Sequence, residues 1–277
     1  MIKLGAYQQL TIQSKTDEGY FLADTDGDDV LMPNRFITDE MNIGDTIKVF
    51  VYSDTDDIDI ASTEEPFFTV NQFAYLEVMD VNRIGAFCHW GLEKELFIPF
   101  SNQGDRLQRG QFVIVYMYVD EMTDRLVGTT KIKKYLKPHA DENIKKGDRV
   151  DLIVLGKTDL GYKVIINHTY AGLVFHDEVF DKITLGQNLT GYIKPIRPDR
   201  KIDVSLQPIG HRSIEPNAQK ILEHLDSNNG FVPLNDKSDP EKIQETFGIS
   251  KKLFKKSIGG LYKQRLISID ADGIRKV

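Results

Sequence analysis

Cysteine is nearly absent from the chain: Cys88 stands alone in 277 residues. No internal disulfide can form, which fits a reducing cytoplasm, the location expected here. Histidine is sparse as well, with six scattered copies. They build no Ser-His-Asp arrangement and no metal-ligand spacing, and no glycine-rich loop is set to cradle phosphates. Neither catalysis nor a metal nor a cofactor is therefore expected. Long apolar runs are missing: none approaches ~18 residues, so no transmembrane helix and no membrane partner are expected. The opening Met-Ile-Lys-Leu-Gly-Ala-Tyr lacks the h-region and cleavage site of a signal peptide.

Positive charge is missing from one end only. Residues 1–62 hold 4 Lys/Arg against 13 Asp/Glu, residues 63–210 hold 19 against 20, and residues 211–277 hold 12 against 9. A nucleic-acid binder concentrates cations on its contact face, because phosphate contacts supply much of the affinity. The first segment is thus a poor candidate for such contact and the last a better one.

What the chain does have is a spacing used three times. Gly19, Gly85 and Gly161 are each followed 14 residues later by Pro33, Pro99 or Phe175. After 25 residues comes Gly44, Gly110 or Gly186, with Asp45, Gln111 or Gln187 next. Two constant spacings over three copies mark an internal repeat. Alternation and β-branched or aromatic content predict five strands per copy. In the second copy these are Phe73–Asp80, Gly85–Trp90, Glu95–Pro99, Phe112–Val119 and Arg125–Thr130. Five strands in 60–70 residues suit a small closed barrel of the OB type, which leaves no free sheet edge. Asp24-Thr25-Asp26-Gly27-Asp28 has acids at calcium-loop spacing, but Arg35 stands at position twelve and strands flank it, so a polar hairpin turn is expected.

Ile84-Gly85-Ala86-Phe87, Leu96-Phe97-Ile98-Pro99 and Leu107-Gln108-Arg109-Gly110 resemble the S1-type RNA-binding domain of ribosomal and ribonuclease-associated proteins. Leu160-Gly161-Tyr162-Lys163, Ala171-Gly172-Leu173-Val174, Leu185-Gly186-Gln187 and Ile202–Leu206 look like a further copy. Glu18-Gly19-Tyr20-Phe21 with Ile43-Gly44-Asp45 looks like a more diverged one. That family often carries a histidine where Pro33, Pro99 and Phe175 stand here, and an arginine where Asp59, Val127 and Asp203 stand.

An OB-type face holds single strands by stacking bases on aromatics within a positive groove. Phe87 and His89, two apart on one predicted strand, share a face. Tyr162 and Lys163 occupy the corresponding turn of the third copy, where Phe175, His176, Arg197, Arg200 and Lys201 add rings and charge. Trp90 points to the opposite face and reads as packing. The basic run Lys131–Pro138 reads as a solvated connector.

After Gly210 the pattern changes to helices. Pro216–Ser227 carries Ala218, Ile221, Leu222 and Leu225 at helical spacing. Ser238-Asp239-Pro240-Glu241 starts a second helix, and Ser250 caps a third from Lys251 to about Arg265. A hairpin, Leu266–Asp270 and Ile274–Val277, follows. Three helices and a hairpin predict a winged helix. In the third helix Leu253, Phe254, Ile258, Leu261 and Tyr262 form an apolar stripe. Lys251, Lys252, Lys255, Lys256, Lys263 and Arg265 form the charged complement, suited to phosphate contact. Gly259-Gly260 inside that helix suggests close packing against a neighbour.

The expected fold is mostly β and multidomain: three OB-fold five-stranded β-barrels at 1–64, 65–137 and 138–212, then an α+β winged helix at 213–277. This layout resembles the conserved virulence factor B family of Gram-positive bacteria, as do Asp236–Glu241 and Phe254–Gln264. The resemblance implies a single-stranded RNA partner and an influence on virulence gene expression. Duplex DNA, or a protein partner at the acidic first barrel, is the alternative.

Overall fold

The computed structural model describes residues 1–179, 182–208 and 216–277, so the expected boundary at 212/213 and the expected change after Gly210 lie outside the described residues. The chain divides into two compact units, Met1–Leu206 and Gln207–Val277.

The first unit contains the three repeats. The first has β1 (Ala6–Lys15), β2 (Gly19–Ala23), β3 (Asp29–Pro33), β4 (Thr46–Ser53) and β5 (Asp59–Ser62). The second has β6 (Phe73–Val81), β7 (Gly85–Cys88), β8 (Leu96–Pro99), β9 (Phe112–Asp120) and β10 (Arg125–Thr129). The third has β11 (Arg149–Lys157), β12 (Gly161–Ile166), β13 (Tyr170–Phe175), β14 (Asn188–Ile193) and β15 (Ile202–Ser205). The first and third close as barrels in the order β1-β2-β3-β5-β4 and its equivalent. The second keeps that order, cut between β8 and β10. Side chains close the seam there: a methyl on Gly128 would fall 2.9 Å from Ile98 and 3.2 Å from Leu96.

Both constant spacings have a physical cause. The 14-residue step is a strand pair: Gly19 faces Pro33, Gly85 faces Pro99 and Gly161 faces Phe175. A Cβ on these glycines would sit 2.0, 2.4 and 2.0 Å from the carbonyl oxygens of Met32, Ile98 and Val174, so only glycine permits the approach. The 25-residue step ends on a turn. Gly44, Gly110 and Gly186 have φ of 97°, 79° and 78°. Their N–H groups donate to Ile12, Val78 and Val154, each at 2.8 Å. The next side chain in each copy accepts from a backbone N–H three residues earlier: Asn42 to Asp45 at 2.8 Å, Gln108 to Gln111 at 3.1 Å, Thr184 to Gln187 at 3.0 Å.

The first two repeats share one hydrophobic cluster. Trp90 joins them. It is 2% exposed and packs 5.9 Å from Phe50, 6.2 Å from Tyr52 and 6.4 Å from Phe68, as its predicted packing role requires. Cys88 is buried in the same cluster, and burial pushes its thiol up to about 12, so it is unreactive at neutral pH. The third repeat has its own core. Phe73, Tyr116, Ile153 and Ile165 form a smaller cluster between the second and third. The basic run at 131–138 connects the second and third repeats with its four lysines exposed, as expected, but Ile132, Tyr135 and Leu136 are half-buried. Ile132–Tyr135 form a 3-10 turn, and Tyr135 stacks on Tyr116 at 3.9 Å, because its aromatic and aliphatic members find a half-buried surface. The Asp24–Asp28 segment is the β2–β3 turn, with Asp24 Oδ1 accepting from the Asp26 and Asp28 N–H groups.

The second unit is a winged helix: α1 (Pro216–Ser227), β16 (Phe231–Val232), α2 (Pro240–Phe247), α3 (Lys251–Lys263), β17 (Ile267–Asp270) and β18 (Gly273–Lys276), with sheet order β16-β18-β17. Asp239 caps α2 by accepting from Glu241 N at 2.9 Å, and Gly248 ends it at φ 68°. Ser250 caps α3. Ile221, Leu225, Ile243, Phe254, Ile258 and Leu261 fill the core. Among the described residues no helix is long and apolar enough to cross a membrane.

Candidate nucleic-acid interface

Register decides which side chains reach the outer side of each repeat. Across the second and third strands Phe21 faces Leu31, Phe87 faces Phe97, and Lys163 faces Leu173. Their neighbours Tyr20, Leu22, Ala86, Cys88 and Val164 enter the cores, and Tyr162 packs against one. Lys163, not Tyr162, is therefore the equivalent of Phe87. Tyr162 instead meets His176 edge-on at 5.6 Å, and His176 Nε2 donates to the Thr158 carbonyl at 2.9 Å.

In the second repeat Phe87 lies 5.1 Å from Phe97, rings tilted by 33°. Sequence reasoning missed Phe97. The pairing of Gly85 with Pro99, implicit in the 14-residue step, would have placed it opposite Phe87. His89 lies one residue past the end of β7; it is exposed, and its ring packs edge-on against Phe67 at 5.1 Å.

The third repeat gathers more charge. Phe175 is half-buried, with Lys194 Nζ 5.7 Å and the Arg197 guanidinium 5.5 Å from its ring centre. Arg197 forks onto Asp203, Nε to Oδ2 at 2.7 Å and Nη2 to Oδ1 at 2.6 Å. Lys194 pairs with Glu178 at 2.7 Å, and Ser205 Oγ donates to the same carboxylate at 2.8 Å. Asp203 lies beside Leu173 in the parallel β13–β15 pair. The corresponding pair in the first repeat is Leu31 with Ile60, so the fifth-strand position there is Ile60 and not Asp59. Lys163, Phe175 and Arg197 thus come together on the outer side of β12, β13 and β15. Arg200 turns away: its Nε donates to the Ala140 carbonyl at 2.8 Å, and its own carbonyl accepts from Ala140 N at 2.8 Å. Lys201 pairs with Asp199 at 3.3 Å.

On the winged helix, Phe254, Ser257, Ile258 and Leu261 bury one side of α3. Tyr262, expected in the apolar stripe, is 57% exposed. Lys251 donates to the Lys237 carbonyl at 3.3 Å, and Lys255 lies 3.8 Å from Asp236. Among the described residues Lys252, Lys256, Lys263 and Arg265 carry no ion pair, and all four are exposed. Gly259 and Gly260 do not mark close packing, since a methyl at either would meet no atom within 4 Å.

Two family models match. Residues 219–275 match the CvfB-like winged helix domain, and residues 4–64 match the S1 domain. The chain is 27% identical to conserved virulence factor B of Staphylococcus saprophyticus, over 98% of this chain and 93% of that protein. It is 28% identical to the uncharacterized protein YitL of Bacillus subtilis, over 92% of this chain and 88% of that one. A solved multidomain protein with nucleic acid binding domains from Streptococcus pneumoniae is 29% identical, covering 99% of this chain and 98% of that chain, with a TM-score of 0.42.

Proposed function

We propose that this chain, whose winged helix matches the CvfB-like domain, whose first repeat matches the S1 domain and which is similar over nearly its whole length to conserved virulence factor B, binds single-stranded RNA in the cytoplasm, without catalysing a reaction, and so influences gene expression. The observation that carries this reading is the set of four exposed cations, Lys252, Lys256 and Lys263 on α3 and Arg265 just past its end, that have no ion pair among the described residues, in a chain that also holds OB-type faces. Free cations neutralise phosphates without first breaking an internal pair. The outer positions around Phe87, Phe97 and Phe175 offer rings to splayed bases, which single strands supply and duplexes do not. The exposed cations of α3 are all lysines, and the helix has no Asn or Gln to fork onto adenine.

The α2–α3 arrangement also favours a second reading, duplex DNA in which α3 enters the major groove. Titration of the full chain against a random single-stranded RNA and a duplex DNA, across salt concentrations, separates the two. Tighter RNA binding with a linear dependence of log K on log salt is expected. Replacing Lys252, Lys256, Lys263 and Arg265 by Ala should flatten the slope by up to about 0.7 per lost single-strand phosphate contact. Nanomolar preference for one duplex sequence would overturn the RNA reading.

A further inference from the structure

The turn between β4 and β5 of the first repeat, residues 54–58, lies against the second repeat. The two carboxylate oxygens of Asp57 each take a different cation: Oδ1 is 2.9 Å from Lys94 Nζ and Oδ2 is 2.9 Å from Arg125 Nη2. Lys94 also donates to the Asp54 carbonyl. The hydrogen bond from Lys94, with the charges of Lys94 and Arg125, holds the Asp57 carboxyl below the usual carboxylate range. Lys94 precedes β8 and Arg125 opens β10, so both flank the outer face of the second repeat. With Asp57 they line a cavity of about 200 Å³, whose apolar wall includes Phe87, Phe97 and the 60%-exposed Ile84.

These parts have the chemistry that the two halves of a nucleotide call for. Paired rings suit a base, and two converging cations suit the two non-bridging oxygens of a phosphate. One carboxylate already holds both cations. The ion pairs are not needed to join the repeats, because the buried cluster around Trp90 does that.

We propose that Asp57 is an internal stand-in for an RNA phosphate, and that the 54–58 turn masks a nucleotide site on the second repeat. The inference rests on the RNA reading above and deepens it: the acidic first repeat acts as a competitor for the second repeat's cations. Side chains at the site are partly open, 29% for Lys94, 42% for Asp57 and 56% for Arg125. Two such pairs exert a competition of about two- to thirtyfold in affinity, so RNA at sufficient concentration displaces the turn.

The test uses the full chain, a labelled random single-stranded RNA, and five proteins: wild type, Asp57→Asn, Asp57→Ser, Asp57→Asn with Phe97→Ala, and Asp17→Asn. Asp17 is an exposed acid of the same repeat, so its variant controls for net charge. Thermal unfolding checks that each is folded, with Asp57→Ser as a second unmasking variant. Asp57→Asn should tighten binding about two- to thirtyfold and steepen the salt slope by about 0.7. Adding Phe97→Ala should remove the gain. Equal affinity of wild type and Asp57→Asn, or an equal gain from Asp17→Asn, overturns the mask while the RNA reading stands. If neither wild type nor Asp57→Asn binds, both fall. If only Asp57→Asn binds, the mask stands and the RNA reading holds for the unmasked chain alone.

Discussion

Replacing Gly259 and Gly260 by Ala should stabilise the winged helix. Both lie within α3, and a methyl at either meets no atom within 4 Å. Neither has a left-handed backbone. Alanine is favoured over glycine by about 0.8–1.0 kcal/mol per interior helix position, partly because the unfolded chain loses fewer conformations. Gly260 is close to the helix end, so the pair should contribute about 1–2 kcal/mol. For a domain of this size each kcal/mol raises the midpoint by about 4–8 °C. Calorimetry on the full chain should therefore show the transition of the Gln207–Val277 unit moving up by about 4–16 °C, with that of Met1–Leu206 unmoved. No shift, or a fall, would refute the reasoning and mean that another surface closes on this side of α3. Nothing in the described residues explains why two glycines stand there.

Gly161→Ala should cost at least about 2 kcal/mol in the third barrel, since its Cβ would lie 2.0 Å from the Val174 carbonyl oxygen; denaturant unfolding measures it. Arg197→Ala should cost about 1 kcal/mol at this partly exposed pair, and a double-mutant cycle with Asp203→Ala should return a coupling of that order. His168 Nδ1 accepts from Phe73 N at 3.0 Å, and burial holds its pKa below the ordinary value of about 6.5. The unfolded chain then takes up the proton first, so stability is full above about pH 6.5 and is lost as the pH falls below it. His168→Gln, which keeps an acceptor, should flatten that part of the profile between pH 7.5 and 5, read by thermal unfolding.

The backbone plan of this chain was legible because backbone sterics enforce it. A glycine whose Cβ would fall 2.0–2.4 Å from a facing carbonyl oxygen, and a second glycine at positive φ, leave an exact spacing in the sequence, and three copies made it visible. The winged helix was legible through its caps, with Asp239 and Ser250 where the helices begin. Its third strand was not, since the two residues of β16 carry no periodicity.

The candidate site was harder to read because it depends on phase and partnership. A shift of one residue moves a side chain from one face to the other. That shift separates Tyr162 from Lys163 and Asp59 from Ile60. Counting cations in a segment also cannot tell which are spent. Arg197 and Arg200 both counted toward RNA contact, yet Arg197 is forked onto Asp203 and Arg200 stitches its loop to Ala140. On the winged helix the same count included Lys251 and Lys255, which local oxygens engage, beside Lys252, Lys256, Lys263 and Arg265, which have no ion pair among the described residues. For phosphate recognition the quantity that matters is charge left after internal pairing. Among the described residues that quantity keeps Lys252, Lys256, Lys263 and Arg265 on the winged helix and Lys163 on the third barrel, and it explains how Asp57 can silence Lys94 and Arg125 without burying either.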